Sequence, residues 1–255
     1  MPEHIITEAR DRVQRIELHR PDKRNAITVA MYEAMASALA RAGEDPDVRV
    51  ILIHGQPDVF TSGNDIAEFL NLPPAGADSP VVRFLKQISQ CSKPVVAAVT
   101  GAAVGIGTTL LLHCDYVVAG ESAKLSVPFV NLGLCPEGAS SLLLPLAVGY
   151  QRAAELLLFG EAIDAAQARE WGLVNRVVPD EQAIPQAQAR ALVLAAKPPA
   201  ALRTAKSLLK RRLASLILHT IDEEVASFSE LLGSPEAKEA LSAFVAKRRP
   251  DFSRF

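Results

Sequence analysis

Apolar positions in the first two-thirds of the chain follow short-period patterns with helical stretches between them. Arg15-Ile16-Glu17-Leu18 alternates polar and apolar residues, as a strand with one wet face does. Val48 to Ile53 is a nearly continuous apolar run, which predicts a mostly buried strand. Between them Thr28 is placed to cap a helix that runs through Met35 and Leu39 and stops at Gly43. Pro94 to Val99 predicts a third strand, followed by Gly101. Tyr116 to Ala119 predicts a fourth, leading to Leu125 and Val127. Strands alternating with helices point to an α/β fold class, and the uneven spacing contains no solenoid repeat.

The pattern changes after Pro179, where the strand signal ends. Helical stretches follow, broken by Lys197-Pro198-Pro199 and by Gly233-Ser234-Pro235. The chain is therefore divided into a core, residues 1–199, and a helical region, residues 200–255. The last helix is expected over Glu236 to Arg248, with Leu241, Phe244 and Val245 on one face, a stripe that suits a core or a subunit contact. Leu208, Leu209, Leu216, Ile217 and Leu218 give this region more apolar surface than a small exposed appendage should display. The segment from Pro73 to Pro80 is the loosest and is expected to be a mobile loop.

Charge adds exclusions. The 255 residues carry 27 Lys+Arg against 29 Asp+Glu, a net charge of −2, which excludes a generally basic nucleic-acid surface and an acidic disordered tail. Hydrophobic residues at 49% supply an ample core. Cys91, Cys114 and Cys135 are odd in number and widely spaced, so they build neither a disulfide framework nor a CxxC zinc site. The histidines lack HxxxH or HExxH spacing, so no metal is expected. Met1 to Arg12 has no apolar run of the kind a signal peptide needs. Val95 to Leu112 is free of charge but interrupted by glycines and threonines, and reads as a strand, a turn and a buried helix rather than a membrane span. Ser253-Arg254-Phe255 is not the Ser-Lys-Leu peroxisomal address. A cytoplasmic protein without nucleic-acid or membrane partners is the expectation.

Two glycine segments carry the candidate chemistry. In Phe60-Thr61-Ser62-Gly63-Asn64-Asp65-Ile66, Ser62 and Asp65 fit an S-x-x-D capping box. In the segment from Gly101 to Thr109, Gly105-Ile106-Gly107 begins like a dinucleotide loop, but Leu110 stands where the third glycine belongs. Close backbone packing is its ordinary reading. Both segments also place backbone N–H groups at a helix start. Two such groups converging on one oxygen form an oxyanion hole, worth ~3 kcal/mol per donor. Spacing alone leaves convergence open. Ser140 and Ser141 lack a G-x-S-x-G elbow, which removes support for a hydrolase triad.

These two segments, with Lys93-Pro94-Val95-Val96-Ala97-Ala98-Val99 and Cys114-Asp115, resemble the crotonase (enoyl-CoA hydratase/isomerase) superfamily of acyl-CoA enzymes. Arg20 to Ala26 resembles its early CoA-contacting loop, Trp171-Gly172-Leu173-Val174 its later turn and strand, and Ala243 to Pro250 its C-terminal helix. The resemblance covers nearly the whole chain in order. It implies a ββα superhelix core with a C-terminal helical oligomerisation region, and trimers, sometimes paired into hexamers. It also implies CoA contacts at Arg24, Ala26, Ser62, Asp65 and Ile66, with Phe244 and Lys247 at the adenine end. Coenzyme A would be part of the substrate, with no separate cofactor.

Carboxylates distinguish reactions within that superfamily. Where its hydratases carry two glutamates, this chain resembles them with Thr109 and Phe129. Ordinary water addition is disfavoured, since it needs a base for water and an acid for C2. Asn131 to Ser141 instead resembles the peroxisomal-type Δ3,Δ2-enoyl-CoA isomerases, whose catalytic glutamate falls at Glu137. Between Lys124 and Arg152, Glu137 is also the one charged residue in an apolar stretch, although an exposed loop glutamate is an equally good reading from composition. The resemblance implies a 1,3-proton transfer by Glu137, with the thioester oxygen held by the N–H groups of Asn64 and Ile106. Two alternatives remain open at this point: another acyl-CoA reaction (atypical hydration, thioester hydrolysis or decarboxylation), or a catalytically silent acyl-CoA-binding subunit.

Overall fold

The computed structural model describes residues 4–71 and 79–255. Strands β1 (Ile5–Arg10) and β2 (Val13–Leu18) form a hairpin that pairs Ile5 with Leu18. Its turn residues Asp11 and Arg12 have φ of 50° and 66°, a left-handed pair that matches the twist of the strands. Only Ile5 of β1 is buried, so this edge strand carries no alternating signal for sequence reading to find. Thr28 caps α1 (Val29–Glu44) as expected, its hydroxyl accepting from the Met31 N–H at 3.2 Å. The helix runs past Gly43 to Glu44, with Asp45 as its C-cap, because a glycine stops a helix by turning left-handed and Gly43 does not.

The remaining elements are β3 (Val50–His54), α2 (Ile66–Asn71), α3 (Pro80–Gln90), β4 (Val95–Val99), β5 (Ala102–Val104), α4 (Ile106–Thr109), β6 (Tyr116–Gly120) and β7 (Lys124–Ser126). After these come α5 (Ser140–Val148), α6 (Tyr150–Ala154), β8 (Ile163–Asp164), α7 (Ala165–Glu170), β9 (Arg176–Val178), α8 (Asp180–Ala195), α9 (Pro199–Lys210), α10 (Ala214–Leu232) and α11 (Pro235–Val245). The expected loose loop from Pro73 lies outside the described residues except for Ser79 and Pro80, which open α3.

The six-stranded sheet has the order β1-β2-β3-β4-β6-β9 and is parallel from β2 onward. Both faces are covered, which is why β4 and the first four residues of β3 read as apolar runs, with only His54 polar at the end of β3. On one face Val50, Leu52, Val96 and Val118 meet Ala183, Ala187, Ala191 and Ala195 of α8. That stripe of alanines, four residues apart, lets the helix lie close to the sheet. On the other face Ile51, Ile53, Val95 and Val99 join Tyr32, Met35, Phe84 and Leu85 in the main core. A second sheet, β5-β7-β8, was not anticipated, since strands of two or three residues are too short to show a period.

The C-terminal helices share this core. Ile217, Ile221, Phe228 and Ala237 belong to it. Lys206 of α9, itself buried, donates to Lys93 O at 2.7 Å and to Asp115 Oδ2 at 2.6 Å. The last helix ends at Val245, short of the expected Arg248. Lys247 takes φ 53° and the Arg248 N–H bonds back to Ala243 O at 3.0 Å, closing the helix. Leu241 is core, whereas Phe244 and Val245 are exposed, so the expected common stripe divides between two environments. No helix among the described residues is long and apolar enough to cross a membrane, and Val95 to Leu112 forms β4, β5, α4 and most of a 3-10 turn.

Candidate active site

Backbone pairing brings the two glycine segments together. The Thr61 N–H donates to Ala102 O at 2.9 Å and the Val104 N–H donates to Thr61 O at 3.1 Å, so residues 61–64 run beside β5. Gly101 makes this possible. Its φ is +57°, and a Cβ there would lie 2.0 Å from Asp58 O. On the other side the Ile27 N–H bonds Gly63 O at 2.8 Å, and the Thr61 hydroxyl donates to Asn25 O at 2.6 Å. The early loop, the first glycine segment and the second thus form one wall.

That wall bounds a cleft of about 690 Å³. It is lined by Ala26, Ser62, Asn64, Asp65, Ile66, Ile106 and Phe244 among others, so seven of the ten expected site residues meet there. The N–H groups of Asn64 and Ile106 have no hydrogen-bond partner among the described residues. Ile106 is the first residue of α4, where no preceding turn exists to accept from it.

Arg24 and Lys247 do not line this cleft. Both adopt left-handed backbone, with φ of 51° and 53°, and their side chains are exposed. Lys23 and Arg248 line it in their place. Asp65 has a different role from the expected capping box. Its Oδ1 accepts from the N–H groups of Ala67 and Glu68, so Asp65 itself caps α2, and its Oδ2 pairs with Arg20 at 2.8 Å. Ser62 lies too far upstream to cap that helix. The spacing rule found the acidic residue but assigned the cap three positions early.

Glu137 opens on a smaller cavity of about 30 Å³, walled by Val81, Val82 and Leu85 of α3 and by Val225 and Phe228 of α10. Asn64 and Phe228 line both spaces and join them. The carboxylate is 7% exposed. Burial pushes its pKa up to about 7, a hydrogen bond from Thr109 opposes the rise, and Glu224 adds to it. The Thr109 hydroxyl donates to Glu137 Oε1 at 2.6 Å. The exposed-loop reading of Glu137 is thereby removed.

Four further residues bear on this carboxylate or on the turn that carries it, and sequence reading gave none of them a role beside Glu137. Thr109 was read only as a missing glutamate. The Tyr32 hydroxyl donates to Asn64 Oδ1 at 2.5 Å, and burial together with Glu137 keeps its pKa well above the ordinary value. His113 Nε2 lies 2.8 Å from Gly138 O, and since a carbonyl only accepts, Nε2 carries the hydrogen. Burial lowers its pKa to about 4, so the ring is neutral. Glu224 of α10 accepts from the Ala139 N–H at 2.6 Å, the Ser141 N–H at 3.0 Å and the Ser141 hydroxyl at 2.6 Å. The one signal available for these residues was polarity within otherwise apolar stretches, and it names no partner.

Comparison with known proteins places this geometry. A family model described as Enoyl-CoA hydratase/isomerase matches residues 8–254. A Mycobacterium leprae protein named "Probable enoyl-CoA hydratase" is 34% identical, covering 98% of this chain and 97% of that one. Human "Enoyl-CoA delta isomerase 2" is 35% identical, covering 82% of this chain and 55% of that one. The crystal structure of an enoyl-CoA hydratase/isomerase from Pseudoalteromonas atlantica superposes with a TM-score of 0.94 at 39% identity, over 98% of this chain and 100% of that chain.

Proposed function

Because the chain belongs to the enoyl-CoA hydratase/isomerase family, we propose that within it this protein is an isomerase that moves the double bond of a 3-enoyl-CoA to the 2-position. The observation that carries this reading is Glu137, a buried carboxyl with its pKa raised to about 7 beside the cleft. Such a group holds or releases a proton near neutral pH, as a shuttle must. CoA would enter along the wall that contains Ala26, Ser62, Asp65 and Ile66, with Phe244 toward its adenine. The thioester oxygen would sit between the N–H groups of Asn64 and Ile106.

Glu137 then takes a proton from C2. The electron pair moves onto the thioester oxygen as a dienolate, the two N–H donors stabilise that charge, and the same carboxyl returns the proton at C4. Thr109 keeps Oε1 aligned, leaving the other oxygen to face the C2–C4 edge. Hydration is the less favoured outcome, because water would need a second base. Phe129 is apolar, Thr109 is already engaged with Glu137, and both oxygens of Glu224 are occupied by Ala139 and Ser141. The apolar walls from α3 and α10 keep bulk water from the dienolate.

Product analysis tests this directly. Incubation with 3-enoyl-CoA should yield the 2-enoyl isomer, with little hydrated product and little free CoA. Glu137→Gln should lower kcat by ~10³ while the protein stays folded. Hydration of 2-enoyl-CoA as the dominant reaction, or a loss below tenfold in Glu137→Gln, would overturn the assignment.

A further inference from the structure

Glu224 lies 87 positions after Glu137 in the chain, on a different helix, and yet it is built into the turn that carries Glu137. That turn is unusual. Gly138 has φ +70° and Ala139, a residue with a Cβ, has φ +57°, so two left-handed residues follow Glu137 in succession. A Cβ on Gly138 would approach the Thr109 hydroxyl to 3.3 Å, which explains glycine there. Ala139 precedes α5, a helix that has no side-chain cap of its own. The missing cap comes from α10. Glu224 Oε2 takes the Ala139 N–H, and Glu224 Oε1 takes both the N–H and the hydroxyl of Ser141.

All three partners donate. The two N–H groups can only donate and the Ser141 hydroxyl is placed to donate as well, so these bonds favour the ionised carboxylate and oppose the upward push that burial gives its pKa. The other groups facing Glu137 are uncharged. From α1, Tyr32 is held neutral; Thr109 at the end of α4 carries only a hydroxyl, and His113 in the turn that follows is neutral. Cys135, two residues upstream, has its thiol pushed up to about 11 by burial. Helix α3 contributes Val81, Val82 and Leu85, and the first glycine segment contributes Asn64. Among the described residues Glu224 is therefore the one charged neighbour.

We propose that Glu224 is a positioning residue for Glu137: its ionised carboxylate fixes the left-handed turn that aims Glu137 and keeps a negative charge beside it. The consequence is a division of labour between two buried carboxyls. One has three donors that hold it toward the charged form against the effect of burial, and the other, with a single hydroxyl donor, is disposed to keep its proton. The inference rests on the isomerase reading only for the name of the reaction, since the pairing itself is a property of the free protein.

The test uses the full chain labelled with 13C at the glutamate carboxyl carbons. The Glu137 resonance is identified by its loss in Glu137→Gln, and its pH titration is followed without substrate in wild type and in Glu224→Gln. The expected result is a shift of the Glu137 midpoint to lower pH by roughly half a unit or more in Glu224→Gln, as loss of a like charge requires. Turnover of 3-enoyl-CoA in that variant should show kcat reduced about tenfold or more, with KM little changed, as for a base that has lost its aim. An unmoved midpoint overturns the proposal. If Glu224→Gln does not fold, Ser141→Ala decides. In Ser141→Ala a buried glutamate resonance other than that of Glu137 should titrate at higher pH than in wild type, as loss of a donor to the charged form of Glu224 requires. If every glutamate titration is unchanged, the proposal is overturned. Absence of isomerase activity in wild type would refute the proposed reaction while leaving the titration result to judge the pairing.

Discussion

Replacing Glu137 with glutamine should stabilise the protein in a pH-dependent way. The Glu137 carboxyl has an ordinary value of 4.5 and rises to about 7 in the folded protein. Between those values the native state holds a proton that the unfolded chain has released, so unfolding sheds a proton and stability falls as pH rises. The favourable contribution is fully present below pH 4.5 and is lost as pH climbs through 7. At roughly 1.4 kcal/mol per pH unit, the wild type loses about 3 kcal/mol in all through this one group. Glutamine does not titrate and escapes that loss. Its amide still accepts from Thr109, so any fixed change in packing or hydrogen bonding affects both ends of the pH range equally. Urea unfolding of wild type and Glu137→Gln at pH 5 and pH 8 measures the difference. The stability of the variant relative to wild type should increase by about 2.5 kcal/mol from the lower pH to the higher. A pH-independent difference would mean that Glu137 titrates like an exposed glutamate and is not a desolvated base.

Other expectations follow from the same geometry. Thr109→Val removes the hydroxyl that donates to Oε1, a charged hydrogen bond worth about 1.5–3 kcal/mol, and should move the Glu137 midpoint up by about a pH unit or more. In pH profiles kcat/KM at pH 7 should then fall about tenfold and recover by pH 9, whereas an equal loss at every pH would give Thr109 another role. In Glu137→Gln, a CoA thioester analogue carrying a real oxyanion should bind about tenfold or more tightly than its neutral counterpart, because two fixed N–H donors favour charge. Equal affinities by calorimetry would sink the oxyanion site at Asn64 and Ile106. Leu209 is 82% exposed, with Leu208 and Leu216 also exposed beside it in the chain, which suits a subunit contact; with the trimers and hexamers that the family resemblance implies, light scattering at micromolar concentration should return a trimer or hexamer mass. A monomer would contradict that expectation.

The sequence determined those features whose physics is local or periodic. Apolar runs located β3 and β4, because a strand covered on both faces favours apolar residues at successive positions. Thr28 marked the start of α1, because a capping hydroxyl needs only the N–H three residues on. Motif resemblance pointed to Asn64, Ile106 and Glu137 as the working groups, and to Thr109 and Phe129 as the absent hydratase pair. What remained unread depends on contacts between distant segments. β5, β7 and β8 exist only because they pair with each other, and β1 only because it pairs with β2. Arg24 was expected in the cleft, but its left-handed backbone turns the chain there and leaves Lys23 to face it. The protonation of Glu137 is the clearest case. Its pKa is raised to about 7 by burial between α3 and α10 and by a carboxylate 87 residues later, against the pull of a hydroxyl 28 residues earlier, and only tertiary packing puts these around it.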